Sequence, residues 1–160
     1  MRELSSNPII RMRRALDEPF PAPTWPVDVY PSTFTPEQAR EVHNLFAIGY
    51  ANGGGTVGQF NDWWAGLVAD SEYEPTLCFV ARTARDQIVG AAQCWTSAFV
   101  KDLVVHPLWR RRGIGEALML HAFAVFRNRG AAYLDLKVLK ENPFDALQLY
   151  CRLGMKEVTE

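Results

Sequence analysis

The sequence has few cysteines, and their placement argues against two kinds of stabilising site. Cys78, Cys94 and Cys151 are the only cysteines in the 160 residues, and no two of them form a C-x-x-C pair. An odd number of widely spaced cysteines fits neither a disulfide framework nor a structural zinc site. We therefore expect a fold without disulfides and without a metal.

Long apolar runs are also missing. No segment is long enough to cross a bilayer, and the N-terminal "MRELSSNPIIRMRRALDEP" contains only the short apolar stretch "PII". A signal peptide requires a longer apolar core than this. The default expectation is a cytoplasmic protein that does not enter a membrane.

The sequence carries no excess of charge. Seventeen Lys and Arg residues against 18 Asp and Glu residues give a net charge of −1, so no overall field attracts nucleic acid or an anionic membrane. Basic residues cluster at Arg11, Arg13 and Arg14 and again at 110–112, but no nucleic-acid-binding motif accompanies them. We expect no nucleic-acid partner, and we interpret the first cluster as an exposed, solubilising one.

What is present indicates one globular domain. A chain of 160 residues with 48% apolar and 12% aromatic residues can bury a core of its own. Five of the ten prolines fall within residues 1–26. We interpret residues 1–26 as an extended N-terminal arm with room for a short strand near "IIRMR", and residues 27–160 as a single domain.

Apolar periodicity predicts helices and strands in the order α, α, β, β, β, α, β, α, β. The helices are expected after "TPEQ", over Phe60 to Val68, over Gly113 to Arg129, and after a cap at Asn142. The strands are expected in "TLCFVAR", "IVGAAQCW", "AFVKDLVVHP", "AYLDLKVL" and "MKEV". This order indicates an α/β fold with a mixed sheet and helices on both faces.

The segment "VVHPLWRRRGIG", residues 104–115, places three arginines between a predicted strand and a predicted helix. A helix N-terminus exposes unpaired N–H groups and the positive end of its dipole, and glycine lets a phosphate approach closely. Cations are unfavourable there unless an anion binds. The segment therefore indicates a pyrophosphate site, with an ordinary strand–helix turn as the alternative.

Two common phosphate motifs are absent from this segment. It has no G-x-x-x-x-G-K-[ST] run, and a G-x-G-x-x-G fingerprint fails because Leu118 stands where the third glycine is needed. The segment instead contains Leu103, Val105 and Pro107 followed by R-x-x-G-x-G, with Arg110, Gly113 and Gly115 as its fixed positions.

In this pattern the sequence resembles the GCN5-related N-acetyltransferase (GNAT) family, whose pyrophosphate signature is [QR]-x-x-G-x-[GA]. "NPFDALQLYCRLGM" resembles a later motif of the same family through Asn142, Ala146, Leu149, Tyr150 and Gly154, with Ala146 one place later than is usual. The resemblance extends from about residue 77 to 157. It implies a mostly antiparallel central sheet that splays at the cofactor strand.

The resemblance also implies how acetyl-coenzyme A would bind. Backbone N–H groups of the loop would hold the pyrophosphate, and the strand that precedes it would pair with the pantetheine arm. Asn142 would contact the pantetheine, and the N–H of Val105 would face the thioester oxygen. The cofactor-binding residues implied in this way are Leu103, Val104, Val105, Arg110, Arg111, Arg112, Gly113, Ile114, Gly115 and Asn142.

For catalysis, the resemblance implies that Tyr150 is the acid that protonates the leaving thiolate. Many relatives carry a glutamate base on the strand before the signature, but this chain has Phe99 and Lys101 at the positions considered. Asp102 is the only carboxylate on that strand and is our candidate base, with an edge or solvent-facing charge as the alternative. His106 is interpreted as a turn residue.

The resulting expectation is an acetyl-coenzyme A-dependent N-acetyltransferase that acts by direct transfer to a primary amine. The alternative is a non-catalytic domain that binds coenzyme A or acyl-coenzyme A. The acceptor would be a small-molecule or peptide amine. Gly53–Gly55 with Phe60, Trp63 and Trp64 are expected to shape its pocket, with burial of the three aromatics in the core as the alternative. A homodimer would be ordinary for this family.

Overall fold

Seven strands form one sheet in the computed structural model, which describes residues 8–51, 53, 55–142 and 145–159. In chain order they are β1 (Ile9–Ala15), β2 (Val29–Thr33), β3 (Cys78–Thr83), β4 (Ile88–Trp95), β5 (Phe99–Val105), β6 (Tyr133–Leu139) and β7 (Lys156–Val158). Across the sheet they run β2-β3-β4-β5-β6-β1-β7. Every pair is antiparallel except β5 with β6, which confirms the mixed, mostly antiparallel sheet.

The helices lie close to their predicted positions, with one exception. They are α1 (Ala39–Gly49), α2 (Phe60–Ala69), α3 (Ile114–Asn128) and α4 (Ala146–Arg152). The Gln38 side chain accepts the N–H of Thr35 at 2.9 Å, as expected at the entry to α1. The exception is α4, because its cap is Asp145 and not Asn142. The prediction that Asn142 caps this helix is wrong.

Helices cover both faces of the sheet, as the element order predicted. On one face, α1 and α2 pack on β3, β4 and β5 around the fully buried Phe46. On the other, α3 and α4 pack around Phe123 and Phe126. The two apolar clusters place the sheet in the middle of three layers.

Strand β1 lies inside the sheet, between β6 and β7. Residues 9–15 of the predicted arm therefore belong to the domain's core and are paired along the whole length of β6. Alternation along the strand turns Met12 and Arg14 to the face that carries α3, where both are buried. The strand itself fits the expectation for "IIRMR", but it is longer and lies one strand in from the edge of the sheet.

The three arginines of β1 form internal contacts. Arg11 and Arg13 donate to the two carboxylate oxygens of the buried Asp135 at 2.7–2.9 Å. Arg14 donates to the carbonyl oxygens of Leu153 at 2.9 Å and Pro19 at 3.0 Å. The interpretation as a solubilising cluster is wrong, because these guanidinium groups join β1 to β6 and to the end of α4.

Strand β2 is the element that periodicity did not indicate. Its sequence, VYPST, contains Pro31, which cannot donate to a neighbouring strand. The strand lies at the edge of the sheet and, among the described residues, pairs only with β3. An edge strand is where a sheet tolerates proline.

Candidate functional site

A cleft opens where β5 and β6 separate. Within the described chain, these two strands pair at Phe99 with Asp135 and at Val100 with Leu136 only. Beyond Val100, the edge of β5 borders a cleft of about 850 Å³, within the roughly 300–1,000 Å³ of small-molecule sites. The splayed sheet expected from the sequence is therefore present, with the opening on the C-terminal half of β5.

A β-bulge shapes the β5 wall of this cleft. Gln93 of β4 pairs with Asp102, and the next residue, Cys94, pairs with Val100, so Lys101 has no partner across the strand pair. A bulge bends a strand and re-aims its side chains. Here the Lys101 ammonium forms an ion pair with the Asp102 carboxylate at 2.9 Å.

The arginine–glycine loop forms one end of the cleft. Gly113 has a φ of +88° and caps α3, and the structure gives this helix no side-chain cap among the described residues. A Cβ on Gly113 would meet no atom within 4 Å. The left-handed backbone, rather than crowding, therefore favours glycine here. The uncapped first turn of α3 leaves its N–H groups available to an anion.

The three arginines of the loop have different environments. Arg110 and Arg111 line the cleft, and Arg110 also donates to the carbonyl oxygen of Gly49 at 3.2 Å. Partial burial lowers the pKa of Arg110. Arg112 instead stacks its guanidinium over the Trp109 ring at 4.6 Å and donates to the Leu108 carbonyl. The structure brings two of the three predicted arginines to the cleft.

The remaining predicted cofactor-binding residues and Tyr150 also reach the cleft. The cleft-lining set includes Leu103, Val104, Val105, Gly113, Ile114, Gly115, Asn142 and Tyr150. Tyr150 is 7% exposed, and burial raises its pKa above the ordinary tyrosine value. Its phenol is therefore protonated at neutral pH and able to donate a proton.

Asp102 lies behind the surface of the cleft. Its carboxylate is only 11% exposed, and it accepts the Tyr50 hydroxyl at 2.7 Å on one oxygen and the Lys101 ammonium at 2.9 Å on the other. Both of these donors line the cleft. The solvent-facing alternative for Asp102 is therefore wrong.

Tyr50 is a residue that sequence reasoning missed. It follows α1 directly, and burial, together with the charge and hydrogen bond of Asp102, raises its pKa. Its ring also packs against the glycine-rich loop, since a Cβ on Gly55 would come within 2.7 Å of it. The available signal was a polar aromatic residue between an amphipathic helix and a glycine-rich segment of the sequence.

Of the remaining candidate residues, most have structural contacts and one lines the cleft. His106 accepts the N–H of Leu108 at 3.1 Å and fixes the turn, as interpreted. Phe60, Trp63 and Trp64 pack with one another and with the α1 core, whereas Gly55 lines the cleft. Of the loop predicted to shape the acceptor pocket, Gly54 falls outside the described residues.

The described ranges contain neither a metal site nor a membrane-spanning helix. No group of three or more His, Cys, Asp or Glu side chains is arranged to hold a metal ion there. None of the helices in the same ranges has the length and apolarity needed to cross a membrane.

Comparison with known sequences places this cleft in a described family. The profile of the Acetyltransferase (GNAT) domain matches residues 74–157, which contain β3 to β6, α3, α4 and the first two residues of β7. Streptothricin acetyltransferase from Streptomyces lavendulae is 36% identical over 91 residues, which cover 54% of this chain and 48% of that protein.

Solved structures show the same fold over nearly the whole chain. A GCN5-related N-acetyltransferase from Sphaerobacter thermophilus has a TM-score of 0.80 and 28% identity, covering 94% of this chain and 48% of its own. The ribosomal-protein-S18-alanine N-acetyltransferase from Escherichia coli has a TM-score of 0.66 and 21% identity, covering 82% and 79%. The chain thus spans about half the length of the first two of these three relatives.

Proposed function

Because the chain belongs to the GNAT acetyltransferase family, we propose that it binds acetyl-coenzyme A between β5 and β6 and transfers the acetyl group to a primary amine. One observation carries this proposal. The uncapped N-terminus of α3, with Arg110 and Arg111, lies in the same cleft as the buried phenol of Tyr150. An anion site and a proton donor in one cleft suit a phosphorylated thioester.

The residues present fit the pyrophosphate of the co-substrate. The first N–H groups of α3 are not used inside the helix, and Gly113 leaves open space above them. Arg110 and Arg111 add positive charge and planar donors. We assign Gly113, Ile114 and Gly115 as the backbone donors, and Arg110 and Arg111 as the charged contacts.

The edge of β5 suits the pantetheine arm. Strand β5 pairs with β6 as far as Val100, so Leu103, Val104 and Val105 border the open part of the cleft. An extended chain with amide groups can add to such an edge as a strand does. Asn142 lines the same cleft, and we assign it to the pantetheine amides.

Acetyl-coenzyme A supplies an activated thioester when bound. We assign Tyr150 as the acid for the departing sulfur, because burial holds its phenol in the protonated form. We assign Asp102 as the final acceptor of the amine proton, because it lies on β5 and accepts hydrogen bonds from Tyr50 and Lys101, which both line the cleft.

The first experiment measures coenzyme A release from acetyl-coenzyme A with a panel of primary amines. The panel contains a diamine, an amino acid, a lysine-containing peptide and streptothricin, which is included because a relative is named for it. We expect release that depends on one of these amines. Binding of acetyl-coenzyme A without release by any amine would contradict transfer and favour the non-catalytic alternative.

The Tyr150→Phe variant tests the assigned acid within the same assay. General acid catalysis contributes about 10²–10⁴-fold, so we expect the rate to fall by at least about 100-fold. Affinity for acetyl-coenzyme A should stay near the wild-type value, because the ring remains in place. Full activity with an unchanged pH profile would reduce Tyr150 to a packing role.

A further inference from the structure

We propose that Tyr50 is a second catalytic tyrosine, which takes the proton of the acceptor amine and passes its own hydroxyl proton to Asp102. This inference rests on the proposed acetyl transfer and deepens it. It concerns a side chain that contacts both the cleft and the buried carboxylate.

The geometry favours an indirect path from the amine to Asp102. The carboxylate is almost completely covered, and its two oxygens accept from Tyr50 and Lys101. The Tyr50 hydroxyl donates to one oxygen at 2.7 Å while the residue lines the cleft. A phenol oxygen that donates one hydrogen bond can still accept another. An amine in the cleft can therefore reach the carboxylate through Tyr50.

Lys101 cannot serve as the relay in the same way. Its ammonium is a donor without an acceptor site, and it is held in an ion pair with Asp102. It instead holds the carboxylate in place beside Tyr50. This leaves Tyr50 as the group between the cleft and the buried base.

The proton transfers balance. As the amine nitrogen forms its bond to the acetyl carbon, its N–H bond breaks and the proton moves to the Tyr50 oxygen. The original Tyr50 proton moves to Asp102, so Tyr50 stays neutral and Asp102 becomes a carboxylic acid. Tyr150 protonates the departing sulfur as the carbon–sulfur bond breaks. After product release, one proton returns from Asp102 through Tyr50 to restore Tyr150.

The charges around the relay are consistent with a neutral Tyr50. Burial and Asp102 raise its pKa, and Tyr150 from α4 lies near enough to raise it further. A tyrosinate at this site is therefore disfavoured, as the relay requires. Among the described residues, the buried thiols of Cys78 on β3 and Cys94 on β4 also face Asp102. Burial is the main cause that raises their pKa values, and Asp102 raises both further, after Cys78 in the case of Cys94.

Kinetics of three variants test the relay with the amine that the wild-type protein acetylates. Tyr50→Phe keeps the ring and removes the hydroxyl, and Asp102→Asn keeps the shape and removes the base. We expect each to lower kcat by about 100-fold or more. The double variant should be no slower than the slower single variant, because both substitutions interrupt the same proton path. Acetyl-coenzyme A affinity by calorimetry should remain within a few-fold.

Tyr73→Phe is the matched control. The Tyr73 hydroxyl is buried and has no hydrogen-bond partner among the described residues, so its loss should leave kcat unchanged. A second readout needs no coenzyme. In urea unfolding, Tyr50→Phe and Asp102→Asn together should shift the midpoint by less than the sum of the single shifts.

The outcomes separate this inference from the proposed function. A wild-type protein that acetylates no amine overturns both. A wild-type protein that acetylates an amine, with Tyr50→Phe as fast as Tyr73→Phe, overturns the relay alone. Multiplicative losses in the double variant, or additive urea shifts, also overturn it, because the two groups would then act independently.

Discussion

At the scale of single residues, Asp135 connects β6 to β1 through its charge. It is fully buried on β6, opposite Phe99 of β5, and both its oxygens accept from Arg11 and Arg13 of β1. Burial alone would raise its pKa, but the hydrogen bonds and charges of the two arginines outweigh burial and lower it. The carboxylate is therefore ionised in the folded protein at neutral pH.

We predict that Asp135→Asn lowers the free energy of unfolding by about 3 kcal/mol at neutral pH, because two guanidinium groups lose their anion. The lowered pKa also sets the pH dependence. The unfolded chain takes up the Asp135 proton at a higher pH than the folded one, so this contribution is lost as pH falls below the ordinary value of 3.8.

Urea unfolding at neutral and at acid pH checks both parts. The difference between wild type and Asp135→Asn should shrink in acid. Asp86→Asn, at a mostly exposed pair with Arg82, is the control and should change stability little. An unchanged neutral midpoint for Asp135→Asn would refute the structural role of this carboxylate.

At the scale of elements, α1 approaches β5 closely through a glycine. A Cβ on Gly49 would lie 2.1 Å from the Val104 Cγ1. Valine has little rotamer freedom to move aside. This approach also sets the position of Tyr50, the next residue, beside Asp102.

We predict that Gly49→Ala lowers the free energy of unfolding by about 1–3 kcal/mol, as overpacking does. Val104→Ala should relieve the collision, so that Gly49→Ala costs less in that background than in wild type. Thermal unfolding of the four proteins measures this coupling. Equal costs in the two backgrounds would show that Gly49 is not in contact with Val104.

Elements with clear periodicity were predictable, and those that depend on long-range pairing were not. The central strands and α3 carry runs of apolar residues whose spacing identifies them. Strand β1 has alternating arginines that pair with Asp135, which lies 122 residues from Arg13 in the sequence. A local sequence pattern cannot predict a partner at that distance. Helix α4 starts later than predicted, because its cap is Asp145, whose backbone is left-handed. The sequence pattern at Asn142 wrongly indicated an earlier cap.

At the scale of the whole molecule, the sequence predicts which segments form the site better than it predicts how those segments contact one another. The glycine–arginine pattern and Tyr150 were recognisable because each belongs to a local motif. The β5 bulge, the cover over Asp102 and its hydrogen bond with Tyr50 arise where α1 meets β5 in space. No local signal joins residues 50 and 102.

The splayed sheet explains why one cleft holds both halves of the site. The parallel pairing of β5 with β6 ends at Val100, and the opening reaches from the N-terminus of α3 to Tyr150 on α4. Binding of acetyl-coenzyme A in this opening is the central claim, because acid, base and relay all depend on it.

Calorimetric titration of acetyl-coenzyme A into Gly113→Glu and Gly130→Glu tests this claim most directly. Both glycines have φ near +88° and open space around the missing Cβ, so the two substitutions carry similar backbone strain and the same charge. Gly113 lies at the cleft end of α3 and Gly130 just beyond its other end.

We predict that Gly113→Glu weakens binding by at least about 100-fold, since a carboxylate would meet the pyrophosphate where N–H groups and arginines now lie. Gly130→Glu should bind like wild type. Equal affinity in the two variants, with both proteins folded, would contradict the placement of the co-substrate at the N-terminus of α3.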